Sequence, residues 1–217
     1  MADEVKHPAK FNEDILTVMD VFLPKEGIFL DPFAGVGRIH ELATGDRQTV
    51  GIEIEEEWAS AHPDTKWGDS LTLAKMFPEN YFDGIATSPT YGNRMADHFE
   101  AKDDSKRITY RHTLGRELHE NNSGRMQWGK AYRELHSNVY AQCVTVTKPG
   151  GCFILNIKDH IRAGERIQVT DWHVDTLDGL GFKPKVFHNV PTQGMRFGEN
   201  HESRVDHESV IQFILVK

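Results

Sequence analysis

The chain has 217 residues, of which 38% are hydrophobic and 27% are charged, and its formal net charge at pH 7 is −8. This length predicts a single domain, and the composition is that of an ordinary globular protein without repeats or low-complexity segments. The negative charge argues against nonspecific binding of nucleic acid by the whole surface.

Targeting signals and cysteines bear on the cellular compartment. No run approaches the ~18 consecutive apolar residues of a membrane span, and the beginning of the sequence lacks the apolar core of a secretory signal. Cys143 falls in a predicted helix and Cys152 opens a predicted strand, so we expect two buried free thiols rather than a disulfide framework or a zinc site. These features predict a cytoplasmic protein without membrane association.

The hydrophobic pattern predicts helices and strands in alternation. An amphipathic helix begins near Asn12, which serves as its N-cap, and ends before Pro24. Further helices are predicted over 38–43, 131–147 and 172–179. The predicted strands are, in chain order, IFLDPF, TVGIEIE, a short strand that ends at Trp67, YFDGIATSP, GCFILNIKD, PKVFHNV and SVIQFILVK.

This alternation indicates an α/β architecture with a largely parallel sheet that is covered by helices on both faces. The last two predicted strands are joined without a helix, which implies that one strand runs antiparallel to the rest. We therefore predict one domain over residues 1–217, built on a seven-stranded and mostly parallel sheet.

The segment 92–137 differs in charge from the rest of this acidic chain. It holds nine Lys and Arg residues against seven Asp and Glu residues, and it interleaves them with aromatic side chains such as Tyr110 and Trp128. Such a mixture suits contact with phosphates and unstacked bases, so the segment is a candidate for target recognition. A solvated insert is the alternative. We expect this segment to be mobile in the free protein.

A glycine-rich turn, DPFAGVG at 31–37, follows the first predicted strand. Glycines let the backbone approach a bulky ligand, and the turn opens a helix whose N–H groups point at that ligand. Ligands of such sheets lie at the carboxyl ends of the strands, where Glu53 is placed to accept both hydroxyls of a ribose and Asp69 follows the third strand. A dinucleotide site remains an alternative, although the third glycine of GxGxxG is missing.

The sequence SPTY at 88–91 follows the fourth predicted strand. The Ser88 hydroxyl and the Pro89 carbonyl suit the two N–H groups of an exocyclic amine, whose lone pair is otherwise delocalised into its ring. Tyr91 suits stacking on that ring, which is worth roughly 1–3 kcal/mol. Catalysis by such a site is mainly positioning and charge stabilisation, and it requires neither a cysteine nor a covalent intermediate.

Taken in order, HPAKF at 7–11, DPFAGVG, Glu53, Asp69 and SPTY resemble the S-adenosylmethionine-dependent amino-methyltransferases that methylate cytosine N4 or adenine N6 in DNA. The resemblance covers nearly the whole chain except 92–137. It implies a Rossmann-like class I methyltransferase fold, S-adenosyl-L-methionine as cofactor, and a target base flipped out of its duplex. The catalytic residues it implies are Ser88, Pro89 and Tyr91. The cofactor-binding residues it implies are His7, Lys10, Phe11, Asp31, Phe33, Gly35, Gly37, Glu53, Asp69 and Ser70.

The SPTY sequence departs from the family pattern, in which the first proline is followed by a second, because Thr90 stands at the third position. Serine at the first position resembles the cytosine-N4 branch, so DNA is the predicted partner. Adenine N6, an RNA substrate and a catalytically silent cofactor-binding protein remain alternatives. The predicted nucleic-acid contacts are Thr90, Asn93, Arg94, Arg111, Arg116, Arg125, Lys158 and Arg196. No metal site is predicted, because methyl transfer from a sulfonium needs none and His201 and His207 match no zinc spacing.

Overall fold

A computed structural model describes residues 12–92, 110–192 and 204–216, with the side chains of residues 111 and 112 left out. The strands of the described residues are β1 (Gly27–Asp31), β2 (Arg47–Glu53), β3 (Thr65–Trp67), β4 (Phe82–Thr87), β5 (Thr147–Ile157), β6 (His160–Arg162), β7 (Glu165–Ile167), β8 (Phe182–Pro191) and β9 (His207–Leu215). All of them except β6 and β7 form one seven-stranded sheet in the order β3-β2-β1-β4-β5-β9-β8, in which only β9 runs antiparallel to its neighbours β5 and β8. The predicted architecture is thus confirmed.

Helices cover both faces of this sheet. Successive side chains of its central strands point to opposite faces, and they are apolar on each face. Leu30 of β1 and Ile85 of β4 pack on one face with the helices over 130–146 and 169–179. Their neighbours Phe29 and Ala86 pack on the other face against the helix over 13–22. The helices are α1 (Glu13–Phe22), α2 (Glu56–Ala59), α3 (Leu73–Met76), α4 (Tyr110–Leu114), α5 (Lys130–Val146) and α6 (Val169–Gly179).

Local signals predict the start of α1 but miss a hairpin. Asn12 caps α1 through its side chain, which accepts from the Asp14 N–H at 3.1 Å, as expected. Strands β6 and β7 form a two-stranded antiparallel hairpin of their own, which the sequence did not predict. Its turn places Ala163 and Gly164 at φ of 51° and 81°, and an alanine in that conformation carries none of the usual Asn-Gly or Asp-Gly signal.

The described half of the 92–137 segment packs against the domain. Tyr110 and Leu118 are buried in a small cluster with Trp58 of α2, and Tyr132 of α5 is fully buried. The expected mobile insert is therefore wrong for residues 110–137, because this part contributes its own aromatic side chains to the core. Within the described residues, no helix is long and apolar enough to span a membrane.

Candidate active site

A cavity of about 880 Å³ opens at the carboxyl edge of the sheet. Its volume lies toward the upper end of the range of small-molecule sites, about 300–1,000 Å³. The glycine turn after β1, the end of β2, the Asp69 turn after β3 and the SPTY sequence after β4 all contribute to its wall. The structure thus brings together the two motifs that lie far apart in the sequence.

Glu53 fastens the glycine turn to the end of β2. Its Oε2 accepts from the Gly35 N–H at 2.8 Å and its Oε1 from the Glu55 N–H at 2.9 Å. Burial raises the pKa of Glu53 to about 7, against the opposing effect of these two hydrogen bonds. Each carboxylate oxygen has a second lone pair, and both Glu53 and Gly35 line the cavity. Glu53 is therefore placed as predicted.

Gly37, in contrast, does not line the cavity. A Cβ at this position would come within 2.7 Å of His40 and 2.9 Å of His62, and its φ of +83° favours glycine. This glycine lets the short 3-10 turn over 38–42 start against the two stacked histidine rings, and its contact with a cofactor stays a prediction.

Asp31 lies beneath the turn rather than on the cavity wall. Its Oδ1 accepts from the Phe33 N–H at 2.9 Å and the Thr87 hydroxyl at 2.6 Å, while Oδ2 is buried without a partner among the described residues. Phe33 lines the cavity, as predicted, but Asp31 does not. The hydrogen bonds of Asp31 join the ends of β1 and β4, and its place near the amino group of the cofactor's methionine stays a prediction.

Burial raises the pKa of Asp31 to about 7, which makes stability dependent on pH. The protonated form is favoured in the fold, so this contribution is present below the unfolded value and is lost as pH rises through about 7. We expect the Tm of the wild type to fall relative to that of Asp31→Asn between pH 5 and 8. The fall should be roughly 2–4 °C for each kcal/mol by which the free energy of unfolding decreases. Thermal unfolding of both proteins over this range measures the difference, and parallel curves would contradict the assignment.

Asp69 and Ser70 also line the cavity, but both are engaged within the protein. The Ser70 hydroxyl donates to the Pro32 carbonyl at 2.7 Å and so links two turns, while its contact with a cofactor stays a prediction. Asp69 Oδ1 caps the next turn through the Leu71 N–H, and Oδ2 accepts from the Asn121 side chain at 2.8 Å. Asn121 was not predicted, and it brings the 92–137 segment to the cavity beside Asp69.

Buried Glu55 anchors that segment. Its Oε1 accepts from the His119 N–H at 2.7 Å and from the Asn122 amide at 2.8 Å, and its Oε2 pairs with the Arg116 guanidinium at 2.8 Å. Arg116 also forms an ion pair with Glu57. Two carboxylates thus hold the Arg116 guanidinium in this structure, and its contact with nucleic acid stays a prediction.

The SPTY sequence meets two unpredicted side chains at the other end of the cavity. Asn156 Nδ2 lies 3.0 Å from Ser88 Oγ, 3.1 Å from the Tyr91 hydroxyl and 2.8 Å from Glu208 Oε2. The Tyr91 hydroxyl donates to Glu208 Oε2 at 2.7 Å. These four residues and Pro89 line the cavity. The predicted catalytic residues are thus together, inside a polar cluster supplied by β5 and β9.

Thr90 is held from behind by buried aromatic side chains. Its carbonyl accepts from the Tyr132 hydroxyl at 2.5 Å, and the oxygen of that hydroxyl lies 2.9 Å from His173 Nε2. His173 Nδ1 lies 2.8 Å from the Tyr140 hydroxyl, and burial lowers the pKa of His173 well below its usual range. The contact of the Tyr132 hydroxyl with the Thr90 carbonyl fixes the turn at the position where the amino-methyltransferases that the sequence resembles have a second proline. Thr90 also lines the cavity, so contact with a target remains open to it.

The remaining predicted residues contribute less to this site. Lys158 is half-buried and donates to Thr192 at 2.5 Å, and Arg125 is exposed, donates to the Leu118 carbonyl and does not line the cavity. Both cysteines are buried free thiols, as expected. Predicted residues outside the described part of the chain are His7, Lys10, Phe11, Asn93, Arg94 and Arg196, together with the side chain of Arg111.

One group of possible metal ligands occurs in the described residues, namely His40, His62 and Asp64. Both ring nitrogens of His40 already lie 2.8 Å from threonine hydroxyls, so this ring has no free ligand position. Burial lowers the pKa of His40 to about 4, which keeps the ring neutral. The group therefore serves packing at the back of the glycine turn.

Solved structures share this fold at low sequence identity. A SAM-dependent methyltransferase from Methanosarcina mazei aligns with a TM-score of 0.57 and 13% identity over 92% of this chain and 97% of that one. The 1,6-didemethyltoxoflavin-N1-methyltransferase of Burkholderia thailandensis gives 0.55 and 14% over 94% and 78%. The cyclase SpnF gives 0.59 and 14% over 94% and 80%. No protein-family model and no curated protein matches the sequence.

These similarities show that the chain has the Rossmann-like class I methyltransferase fold. The same fold carries, by their names, two methyltransferases and a cyclase, so it does not fix the reaction. Function has to be argued from the side chains of the cavity.

Proposed function

We propose that this protein transfers a methyl group from S-adenosyl-L-methionine to the exocyclic amino group of a base in DNA, with cytosine N4 as the preferred target. The observation that carries the proposal is one cavity with two chemically different ends. Glu53 and the glycine turn line one end, and Ser88, Pro89 and Tyr91 line the other.

The first end suits the nucleoside part of the cofactor. The carboxylate of Glu53 has lone pairs left for ribose hydroxyls, and Gly35 lets the backbone approach closely beside it. Asp69 and Asn121 lie nearby with polar groups suited to an adenine edge. When bound, the cofactor supplies an electrophilic methyl group on sulfur.

The second end suits an amine as methyl acceptor. An exocyclic amine is a poor nucleophile because its lone pair is delocalised, and acceptors on both N–H groups pyramidalise the nitrogen. Ser88 Oγ and the Pro89 carbonyl are such acceptors at the end of β4, and the Tyr91 ring lies beside them. The Tyr132 contact to the Thr90 carbonyl keeps this turn in place, which supports activity despite the missing second proline. Positioning of this kind lowers a barrier without a covalent intermediate.

Nucleoside mass spectrometry tests the proposal directly. Unmethylated DNA and, separately, RNA are incubated with the protein and S-adenosyl-L-methionine, then digested and analysed. We expect N4-methylcytosine from DNA and none from a reaction with Ser88→Ala. N6-methyladenine would keep the reaction class and change the base, and a product from RNA alone would change the polymer. Tight cofactor binding without any methylated nucleoside would overturn the proposal in favour of a silent binding protein or of a different methyl acceptor.

One observation favours a second candidate, a small heterocyclic amine as acceptor. Phosphate backbones are recognised mainly by cationic side chains, and Arg116 is held by Glu55 and Glu57 while Arg166 is held by Asp159. Binding of duplex and single-stranded DNA at rising salt separates the two candidates. A DNA-binding enzyme loses affinity steeply with salt, whereas an enzyme for small molecules shows no DNA binding at low salt.

A further inference from the structure

A continuous hydrogen-bonded chain leads away from the expected position of the target amine. Ser88 Oγ lies 3.3 Å from the Tyr91 hydroxyl, which in turn donates to Glu208 Oε2 at 2.7 Å. Asn156 touches all three oxygens through its Nδ2 atom. The chain begins at the predicted catalytic serine and ends at a carboxylate on the cavity wall.

Amine methylation produces a proton that has to leave. When the nitrogen lone pair forms the new N–C bond and the C–S bond breaks towards sulfur, the nitrogen becomes cationic. It returns to neutrality by releasing one N–H proton. Pro89 offers only a carbonyl, and the Ser88 hydroxyl is a hydrogen-bond acceptor that keeps no extra proton near neutral pH. A carboxylate within reach is the natural acceptor.

We propose that Ser88, Tyr91 and Glu208 form the proton exit of this site, with Glu208 as the terminal proton acceptor and Asn156 as the residue that aligns the three oxygens; this inference rests on the proposed function. The substrate N–H proton passes to Ser88 Oγ as the Ser88 proton passes to Tyr91 and the Tyr91 proton to Glu208. The products are a neutral methylamine and a protonated Glu208, which exchanges its proton with solvent.

The arrangement around Asn156 supports alignment rather than mere packing. Asn156 is 1% exposed, and its Oδ1 is buried without a partner among the described residues. A buried amide oxygen left unpaired costs about 1–3 kcal/mol. The other amide atom meets three oxygens on the cavity wall, so the side chain is oriented towards the cluster at the expense of its own oxygen.

Other charged and titratable groups face the same end of the cavity. Lys158 at the end of β5 interacts electrostatically with Glu208, Asp206 and Arg204, and His207 pairs with Asp206. A test of Glu208 therefore needs a control that removes a nearby negative charge without touching the hydrogen-bonded chain. Asp206→Asn is such a control, because Asp206 is 92% exposed at its side chain and makes no contact with Tyr91.

Glu208→Gln is the decisive variant. Its amide oxygen can still accept from Tyr91 and Asn156, but it cannot take up a proton. We expect kcat to fall about 10²-fold or more with KM and cofactor Kd within about twofold, and the acid limb of the wild-type pH profile of kcat to disappear. Tyr91→Phe, which keeps the ring and removes the link, should lower kcat similarly. Asp206→Asn should leave both kcat and its pH profile unchanged.

A measurement without turnover tests the same chain. In protein labelled with ¹³Cζ-tyrosine, the Tyr91 signal is identified by its loss in Tyr91→Phe. We expect this signal to shift with pH in the wild type and to stop doing so in Glu208→Gln, with circular dichroism confirming that both variants fold. The proton exit is overturned if the Tyr91 signal depends on pH in the same way in the wild type and in Glu208→Gln. It is also overturned if folded Glu208→Gln retains full turnover. A wild type without turnover overturns the proposed function, whatever the Tyr91 signal shows.

Discussion

Ser88→Ala is expected to abolish most methyl transfer while leaving cofactor binding nearly intact. The hydroxyl lies at the target end of the cavity, 3.3 Å from Tyr91 and 3.0 Å from Asn156, and no described contact joins it to the glycine turn or Glu53. Removing one preorganised hydrogen-bonding group from a reacting centre costs about 10²–10³ in kcat. The Kd for S-adenosylhomocysteine should change less than about twofold.

Single-turnover kinetics and calorimetric titration of the cofactor measure the two quantities separately. Ser60→Ala is the matched control, because Ser60 is exposed at the end of α2 and its hydroxyl donates only to the Glu57 carbonyl. A loss of cofactor affinity in Ser88→Ala equal to its loss in kcat would contradict the division of the cavity into two ends. Retained kcat would show that the Pro89 carbonyl suffices to activate the amine.

The sequence predicts which residues line the cavity best where they follow a parallel strand. Glu53 ends β2, Ser88 follows β4 and Gly35 lies in the turn after β1, and the carboxyl ends of parallel strands meet at one edge. An apolar strand followed by a polar residue therefore predicts a residue of the cavity wall even when the conformations of the loops are unknown. All three residues line the cavity.

The sequence did not predict several other residues of the cavity wall, and each omission has a physical reason. Glu208 stands near the beginning of β9, and it reaches the active edge only because β9 is antiparallel, so that its start lies beside the end of β5. Asn121 comes from a loop whose path depends on the Glu55 contacts. Asn156 left a readable signal, since a buried asparagine inside the apolar run of β5 needs a reason. Hydrophobic periodicity describes one strand at a time, so it cannot predict the positions of Glu208 and Asn121.

The orientation of the Asp31 carboxylate is a further feature that the sequence does not predict. The turn sequence places an acid next to a cofactor site, but it does not tell whether the side chain points into the cavity or beneath the turn. In the structure the Phe33 N–H and the Thr87 hydroxyl take the carboxylate underneath. Local competition for hydrogen bonds decides such orientations, and it involves residues more than fifty positions apart.

Glu53→Ala is expected to show the opposite pattern to Ser88→Ala. It removes the carboxylate from the cavity wall and frees the Gly35 and Glu55 N–H groups that this side chain holds. A hydrogen bond to a charged group contributes about 1.5–3 kcal/mol, so the Kd for S-adenosylhomocysteine should rise roughly 10- to 100-fold for each ribose hydroxyl that the carboxylate holds. At saturating cofactor, kcat should stay within about threefold of the wild type.

The raised pKa of Glu53 adds a pH signature to this result. Burial favours the protonated form up to a pH of about 7, and only the ionised form accepts from both ribose hydroxyls with full strength. Cofactor affinity of the wild type should therefore increase as pH rises from 6 to 8, and this increase should vanish in Glu53→Ala. Glu57→Ala is the matched control, because Glu57 is exposed, pairs with Arg116 and does not line the cavity. Unchanged affinity in Glu53→Ala would remove the nucleoside end of the cavity from the proposed function.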